Sequence, residues 1–232
     1  MIQKVFQRYE KKYLLEEETY QNFRRELAAY MQEDAFGLHT IRNLYFDTED
    51  DILIRTSIEK PRYKEKFRIR CYGDPTEEEK CFLEIKKKYH GLVNKRRIVM
   101  GIDEAQAFIE RGIEPEKKGQ IFQEVAFFLD RYDLQPKCYI AYDRIALYGK
   151  EDPDFRVTFD TNIRSRSTNL TLYSDDDTQL LLSPKYHLME VKISETMPLW
   201  FAQLLSKYQI YSTSFSKFGR FYEKQQKEGR VE

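Results

Sequence analysis

The feature that most constrains the fold is a set of short segments in which charged residues alternate with other, mostly apolar, residues. Successive side chains of a β-strand point to opposite faces of a sheet, so each segment predicts a strand with one charged face. The segments carry Arg8, Glu10 and Lys12; Lys66, Arg68 and Arg70; Glu84, Lys86 and Lys88; Arg156, Thr158 and Asp160; and Glu190 and Lys192. One such strand is ordinary, but several predict a shared charged surface, with helices covering the apolar face.

The composition indicates a folded protein whose cations are placed locally. The chain has 232 residues, is 41% hydrophobic and has a formal net charge of zero. Its length and hydrophobic content predict one domain over residues 1–232. Its neutral net charge argues against general binding of nucleic acid. The cysteines, Cys71, Cys81 and Cys138, have no metal-ligand spacing and are expected to be reduced packing thiols. No apolar run has the length of a membrane segment and no signal core is seen, so we expect a soluble, cytoplasmic chain. Because the net charge is neutral, we expect no nucleic-acid partner.

The order of elements favours an antiparallel α+β fold or a closed barrel. Strands are predicted near 5–13, 39–48, 63–72, 80–89, 94–100, 137–148, 154–161, 170–173 and 186–194. Helices are predicted from the acidic run Glu16, Glu17 and Glu18 onward and near 103–111, 119–132, 197–209 and 215–227, with a short turn or helix at 50–57. Closure of the sheet would remove its edges and hold the charged faces around one lumen.

Such a lumen would be strongly positive. Its cations would be Arg8, Lys12, Lys66, Arg68, Arg70, Lys86, Lys88, Arg144, Arg156 and Lys192, with either Lys95 and Arg97 or the alternative register of Asn94 and Arg96; its acids would be Glu10, Glu84, Asp160 and Glu190. Arg and Lys suit phosphate oxygens, and carboxylates among them suit Mg²⁺ or Mn²⁺. The pattern therefore indicates binding or transfer of phosphoryl groups. In any single strand, a solvated charged face remains the simpler interpretation.

A resemblance to a known family adds to this interpretation. The ordered set RYEKKYLL, LYFDT, KFRIR, LEIKKK, KRR, AYDR, MEVK and FSKFGR resembles the VTC domain. This is the polyphosphate polymerase domain of vacuolar transporter chaperone complexes, which is also found as free-standing bacterial proteins. Through it, the chain resembles the triphosphate tunnel metalloenzymes. Arg8 stands where their usual ExExK pattern has its first Glu.

The resemblance implies an eight-stranded antiparallel β-barrel, the triphosphate tunnel, with helices packed outside. It implies binding of ATP, triphosphate or polyphosphate with Mn²⁺ or Mg²⁺, and transfer of the ATP γ-phosphate to a polyphosphate chain. The positions that match the family's phosphate-binding residues, and are the predicted catalytic residues, are Lys12, Arg68, Arg70, Lys86 and Arg144; Lys95 and Lys217 match further phosphate-binding positions, and Glu190 matches the principal metal ligand. The charged faces themselves add Arg8, Lys66, Lys88, Arg156 and Lys192 as further phosphate-binding positions, and Glu10 and Glu84 as further metal positions. Hydrolysis of a triphosphate and binding without catalysis stay open as alternatives. Arg8 in place of Glu leaves fewer metal carboxylates, which argues against a two-metal hydrolase.

Overall fold

The computed structural model describes residues 9–59, 61–73, 80–90, 92–114, 119–193 and 196–229. The strands are β1 Tyr9–Glu16, β2 Met31–Glu33, β3 His39–Asp47, β4 Tyr63–Tyr72, β5 Lys80–Tyr89, β6 Leu92–Gly101, β7 Gln135–Gly149, β8 Arg156–Arg166, β9 Gln179–Leu180, β10 Tyr186–Ile193 and β11 Ser212–Thr213. The helices are α1 Glu17–Leu27, α2 Ile52–Ile58, α3 Ile102–Arg111, α4 Gln120–Arg131, α5 Leu199–Lys207 and α6 Lys217–Lys227. Within these residues, no helix is long and apolar enough to cross a membrane.

The strands form one sheet with the order β11-β1-β10-β8-β7-β3-β4-β5-β6, to which β2 and β9 add at β7 and β8. The paired strands run antiparallel, as predicted. The sheet has eleven strands rather than eight, because β2, β9 and β11 are pieces of two or three residues beside longer strands. Among the described residues the order ends at β11 and β6, so the predicted closed barrel is not confirmed.

The chain divides into two compact units, each with its own apolar core. The first comprises Met1–His39, Tyr142–Ile163 and Leu182–Ser216, and the second comprises Thr40–Ala141, Arg164–Leu181 and Lys217–Glu232. In the first unit, Phe23 of α1 packs with Phe201 of α5. In the second, Phe128 of α4 packs on Phe67 of β4. The expectation of a single domain over residues 1–232 stays a prediction.

The helix and strand patterns are largely confirmed. Helix α1 buries Tyr20, Phe23 and Leu27 at helical spacing, and Glu17 in its first turn complements the helix dipole. Strands β4 and β5 occupy the predicted bounds 63–72 and 80–89, and residues 74–79 between them lie outside the described residues.

The predicted strand at 170–173 is wrong. Leu172 of this segment is fully buried in the core of the second unit, but the segment is not a strand. The backbone carbonyls there are used differently, because the Arg166 guanidinium donates hydrogen bonds to the oxygens of Asn169 (2.8 Å), Thr171 (2.7 Å) and Ser174 (2.8 Å). These carbonyls accept hydrogen bonds from a buried side chain instead of from a neighbouring strand.

Candidate functional site

In the first unit, strands β1, β10 and β8 carry a charged face in register. Lys12 lies opposite Glu190, which lies opposite Thr158 on the next strand. One pair along, Glu10 lies opposite Lys192, which lies opposite Arg156. Intervening residues such as Tyr13, Met189 and Phe159 are buried in the core on the other face. The alternation in the sequence therefore places these charged residues on one face, as predicted.

Four side chains of this face form a chain of ion pairs. The Arg144 guanidinium of β7 donates to both oxygens of Asp160, from Nε to Oδ1 at 2.6 Å and from Nη2 to Oδ2 at 2.8 Å. It also reaches Oε2 of Glu190 at 3.4 Å, and Lys12 Nζ lies 3.0 Å from the other oxygen, Oε1. Burial opposes the charge on Arg144, but Asp160 and Glu190 outweigh it and raise the pKa of Arg144 further above its usual value. Arg144 therefore stays charged.

The other contacts of this face involve Lys12 and Arg156. Lys12 also donates to the backbone oxygen of Phe215 at 2.9 Å, just after β11. Arg156 is exposed, and its Nε lies 3.4 Å from the carbonyl oxygen of Pro153. Arg8 lies outside the described residues. We refer to Lys12, Arg144, Asp160 and Glu190 as the first cluster.

In the second unit, one buried carboxylate forms ion pairs with three cations. Glu84 of β5 is 1% exposed, and its Oε2 accepts hydrogen bonds from Arg68 Nε (2.9 Å) and Nη2 (2.7 Å). Arg70 Nε lies 3.8 Å from the same oxygen, and the Lys95 ammonium pairs with Oε1. We refer to Arg68, Arg70, Glu84 and Lys95 as the second cluster. It has more cations than acids, whereas the first cluster is balanced.

The pKa values of the second cluster reflect this surplus. Burial would raise the pKa of Glu84, but the charges of Arg68, Arg70 and Lys95 outweigh burial and hold the pKa well below its usual range. Burial, together with Arg70 and Arg68, lowers the pKa of Lys95 to about 8, although Glu84 acts in the opposite direction. The pKa of one cation in this cluster is thus shifted toward neutral pH.

The register of β6 resolves the two alternatives left open by the sequence. Lys95 lies opposite Lys86 and Arg97 lies opposite Glu84, so both belong to the charged face. Arg96 points to the other face, where its Nε lies 3.2 Å from Glu124 of α4. The charged face of β4, β5 and β6 thus includes Lys64, Lys66, Arg68, Arg70, Lys86, Lys88, Lys95 and Arg97, with Glu84 as the acid among them.

Two site residues were missed from the sequence. Asn43 of β3 is fully buried; its Oδ1 accepts from Arg70 Nε at 3.0 Å, and its Nδ2 donates to the Ile140 oxygen at 3.0 Å. The Tyr45 hydroxyl accepts from Arg68 Nη1 at 2.7 Å. Both hold an arginine in place. The signal was present, because Asn43 and Tyr45 share one face of β3, whereas Leu44 and Phe46 between and after them are core residues on the other face.

The basic position near the C-terminus is also located. Lys217 begins α6 and is 7% exposed, and the ring of its neighbour Phe218 stacks on Tyr45 with centroids 4.9 Å apart. This places Lys217 at the helix that packs beside an arginine-holding tyrosine. The prediction that residues of both clusters line one lumen stays a prediction.

A divalent ion fits these residues only with few protein ligands. Among the described residues, no group of three or more His, Cys, Asp or Glu side chains is arranged to hold a metal. Glu190 and Glu84 belong to different units, and both oxygens of Glu190 already face cations. Mg²⁺ and Mn²⁺ are commonly held by one or two carboxylates, with substrate phosphates and water completing the shell. Glu190 fits that kind of site, with phosphate supplying further oxygens.

Comparison with known proteins places the chain in a family. The VTC domain matches residues 7–224. Subunit 4 of the vacuolar transporter chaperone complex from Trypanosoma cruzi is 24% identical over 217 residues, as is the same subunit from Trypanosoma brucei. Each match covers 77% of this chain but 27% of the relative, so the chain spans about a quarter of the length of these relatives.

Solved structures share the fold at lower identity. A putative adenylate cyclase from Bacillus halodurans superposes with a TM-score of 0.53 and 17% identity, covering 90% of this chain and 92% of that one. A putative adenylyl cyclase from Hippeastrum, described as revealing a dominant triphosphatase activity, superposes with a TM-score of 0.54 and 17% identity, covering 93% of this chain and 95% of that one. The similarity to these structures concerns the fold. The match over residues 7–224 shows that the chain belongs to the VTC domain family.

Proposed function

We propose that this protein binds triphosphate or polyphosphate on its cationic faces with Mn²⁺ or Mg²⁺, and transfers the γ-phosphate of ATP to a polyphosphate chain. Membership of the VTC domain family supports this proposal. The observation that carries it is the surplus of cations around Glu84, where Arg68, Arg70 and Lys95 share one buried carboxylate. Close like charges repel, and a polyanion would neutralise them.

The chemistry needs no protein nucleophile, because a terminal phosphate oxygen of the acceptor chain attacks the γ-phosphorus. Arg68 and Arg70 bind phosphate oxygens through their guanidinium forks and neutralise the charge that develops on the leaving diphosphate. Asn43 and Tyr45 keep those forks oriented. Lys12 and Arg144 supply further positive charge at Glu190. The divalent ion, held by Glu190, would screen the phosphate charges.

One incubation distinguishes this proposal from its alternatives. The purified protein is mixed with ATP and Mn²⁺, and products are separated by gel electrophoresis and a phosphate assay. Long polyphosphate supports the polymerase. Release of free phosphate without polymer indicates hydrolysis in the same site. Binding without turnover indicates a polyphosphate-binding module.

We expect Glu190→Gln to remove most of the metal-dependent activity, because the amide matches the shape of the carboxylate but carries no charge to hold the ion. Activity is measured across a Mn²⁺ titration, and the fold is checked by circular dichroism. Glu65→Gln is the control, since Glu65 lies on the face of β4 opposite the cationic one and pairs with Lys87. An unchanged Mn²⁺ dependence in Glu190→Gln would place the ion elsewhere, with Glu10 and Glu84 as the next candidates.

We expect triphosphate binding to weaken as the pH rises above about 8, the pKa of Lys95 in the ligand-free protein. The anion favours the charged ammonium, so binding raises this pKa and takes up a proton. Affinity is then lost as Lys95 deprotonates, by up to about tenfold per pH unit.

Lys95→Arg stays charged and should show a smaller decrease between pH 7 and 9. The ligand's own titration is common to both proteins, so their difference isolates Lys95. Calorimetry in two buffers measures the proton uptake directly. Lys87→Arg is the control, because Lys87 pairs with Glu65 on the opposite face. Equal pH profiles for the parent and Lys95→Arg would exclude Lys95 from the binding site.

A further inference from the structure

Thr158 of β8 carries a buried hydroxyl in the middle of the first cluster. It is 6% exposed and lies opposite Glu190, on the same face as Asp160. Its Oγ1 has no hydrogen-bond partner among the residues that the structure describes. A buried hydroxyl without a partner destabilises the folded state, because water is removed and nothing replaces it.

The groups around Thr158 are already engaged with one another. Arg144 holds both oxygens of Asp160 and reaches Glu190, and Lys12 holds the other Glu190 oxygen. A valine would occupy nearly the same volume at position 158 without a polar atom to satisfy. The hydroxyl therefore indicates a partner outside the residues that the structure describes.

We propose that Thr158 is a binding residue, whose hydroxyl donates a hydrogen bond to an oxygen of the bound triphosphate or polyphosphate. This inference rests on the proposed function and deepens it, since it places phosphate beside Lys12 and Arg144. Phosphate oxygens are strong acceptors, and a bond from a neutral donor to a charged acceptor is among the stronger kinds. A neutral donor also adds no cation that would compete with Arg144 for Asp160.

The test is calorimetric binding of inorganic triphosphate at low salt to the parent, Thr158→Val and Thr158→Ser. We expect Thr158→Val to bind triphosphate about tenfold more weakly or worse, because a hydrogen bond to a charged group is lost. Thr158→Ser keeps the hydroxyl and should retain most of the affinity. Without ligand, Thr158→Val should melt at the same temperature as the parent or higher, since it removes an unsatisfied polar atom.

Thr161→Val is the matched control on the same strand. The Thr161 hydroxyl donates to the Asp143 carbonyl oxygen at 3.4 Å, so its loss should lower the melting temperature slightly and leave triphosphate binding unchanged. Thr158→Val should therefore lose triphosphate affinity without losing thermal stability, whereas Thr161→Val should lose some thermal stability and keep its affinity.

The outcomes separate this inference from the proposed function. If the parent does not bind triphosphate, the proposed function fails and the role of Thr158 fails with it. If the parent binds and Thr158→Val binds equally well, only the role of Thr158 is overturned. A lower melting temperature of ligand-free Thr158→Val, with affinity intact, would also overturn it, because the hydroxyl would then be satisfied by a buried water.

Discussion

Replacing Glu84 with Gln should lower the free energy of unfolding by about 3–5 kcal/mol, because it leaves buried cations without their carboxylate. Glu84 is 1% exposed and is paired with Arg68, Arg70 and Lys95, whose mutual repulsion then goes unbalanced. The measurement is chemical denaturation at pH 7 without ligand. The pKa of Glu84 is already lowered in the folded parent, so the same stability should be lost in the parent as the pH falls and Glu84 becomes protonated.

Triphosphate should restore more stability to Glu84→Gln than it adds to the parent. In the parent, the carboxylate competes with the ligand for the same cations; in the variant, the phosphate oxygens take its place. The expected result is a larger ligand-induced rise in melting temperature for the variant, measured at equal triphosphate concentration and low salt.

Glu65→Gln is the matched control for this comparison. Glu65 is 5% exposed on the opposite face of β4, accepts from Tyr63 and Tyr132, and pairs with Lys87. Its replacement should also destabilise the protein, but triphosphate should not compensate for the loss. A smaller triphosphate effect in Glu84→Gln than in the parent would mean that Glu84 does not occupy the place of a ligand phosphate.

The faces of the strands were predictable because alternation with a period of two is a local property. Lys66, Arg68 and Arg70 lie on one face of β4 for this reason alone, whatever the strand pairs with. The pairing of cations with Glu84 was not predictable, because it depends on how β4, β5 and β6 are aligned. A shift of one residue would have exchanged Lys95 for Arg96 on that face.

The segment NKRRIVM was ambiguous in the sequence because both of its faces carry cations. The structure resolves it through the apolar residues that follow, since Met100 is buried in the core of the second unit and Ile98 packs against it. Arg96, which shares their face, meets Glu124 of α4. Val99 on the other face is apolar as well, although it is exposed, so the residues of β6 alone do not separate the two registers, and the packing of α4 on one face does.

Other features depended on contacts that are distant in the sequence. The strand predicted at 170–173 is wrong; the Arg166 guanidinium binds the carbonyl oxygen of Thr171 within this segment and those of Asn169 and Ser174 on either side of it. The division into two units was not predicted either, since β7 and β8 each contribute residues to both units. Composition shifts and linkers mark domains that are joined end to end; they do not mark compact units whose segments alternate along the chain.

Replacing Arg144 with Met should destabilise the protein by about 3–5 kcal/mol at pH 7, because two buried carboxylates lose their shared cation. Asp160 is fully buried with both oxygens on Arg144, and Glu190 is 7% exposed. Denaturation at pH 7 measures the loss. Arg164→Met is the control: Arg164 pairs with Asp175, which keeps a hydrogen bond from Tyr139, so a smaller loss is expected.

The loss in Arg144→Met should shrink as the pH falls toward 5. Without the guanidinium, burial raises the pKa of Asp160 above its value in the unfolded chain, so the folded state binds protons more tightly. Stability contributed in this way is present at low pH and is lost as the pH rises through the folded-state pKa. Adding Asp160→Asn to Arg144→Met should therefore recover part of the stability at pH 7, because the amide carries no charge to leave unpaired. If the double variant is no more stable than Arg144→Met at pH 7, the cost lies in the lost packing of the arginine stem and not in the stranded carboxylate.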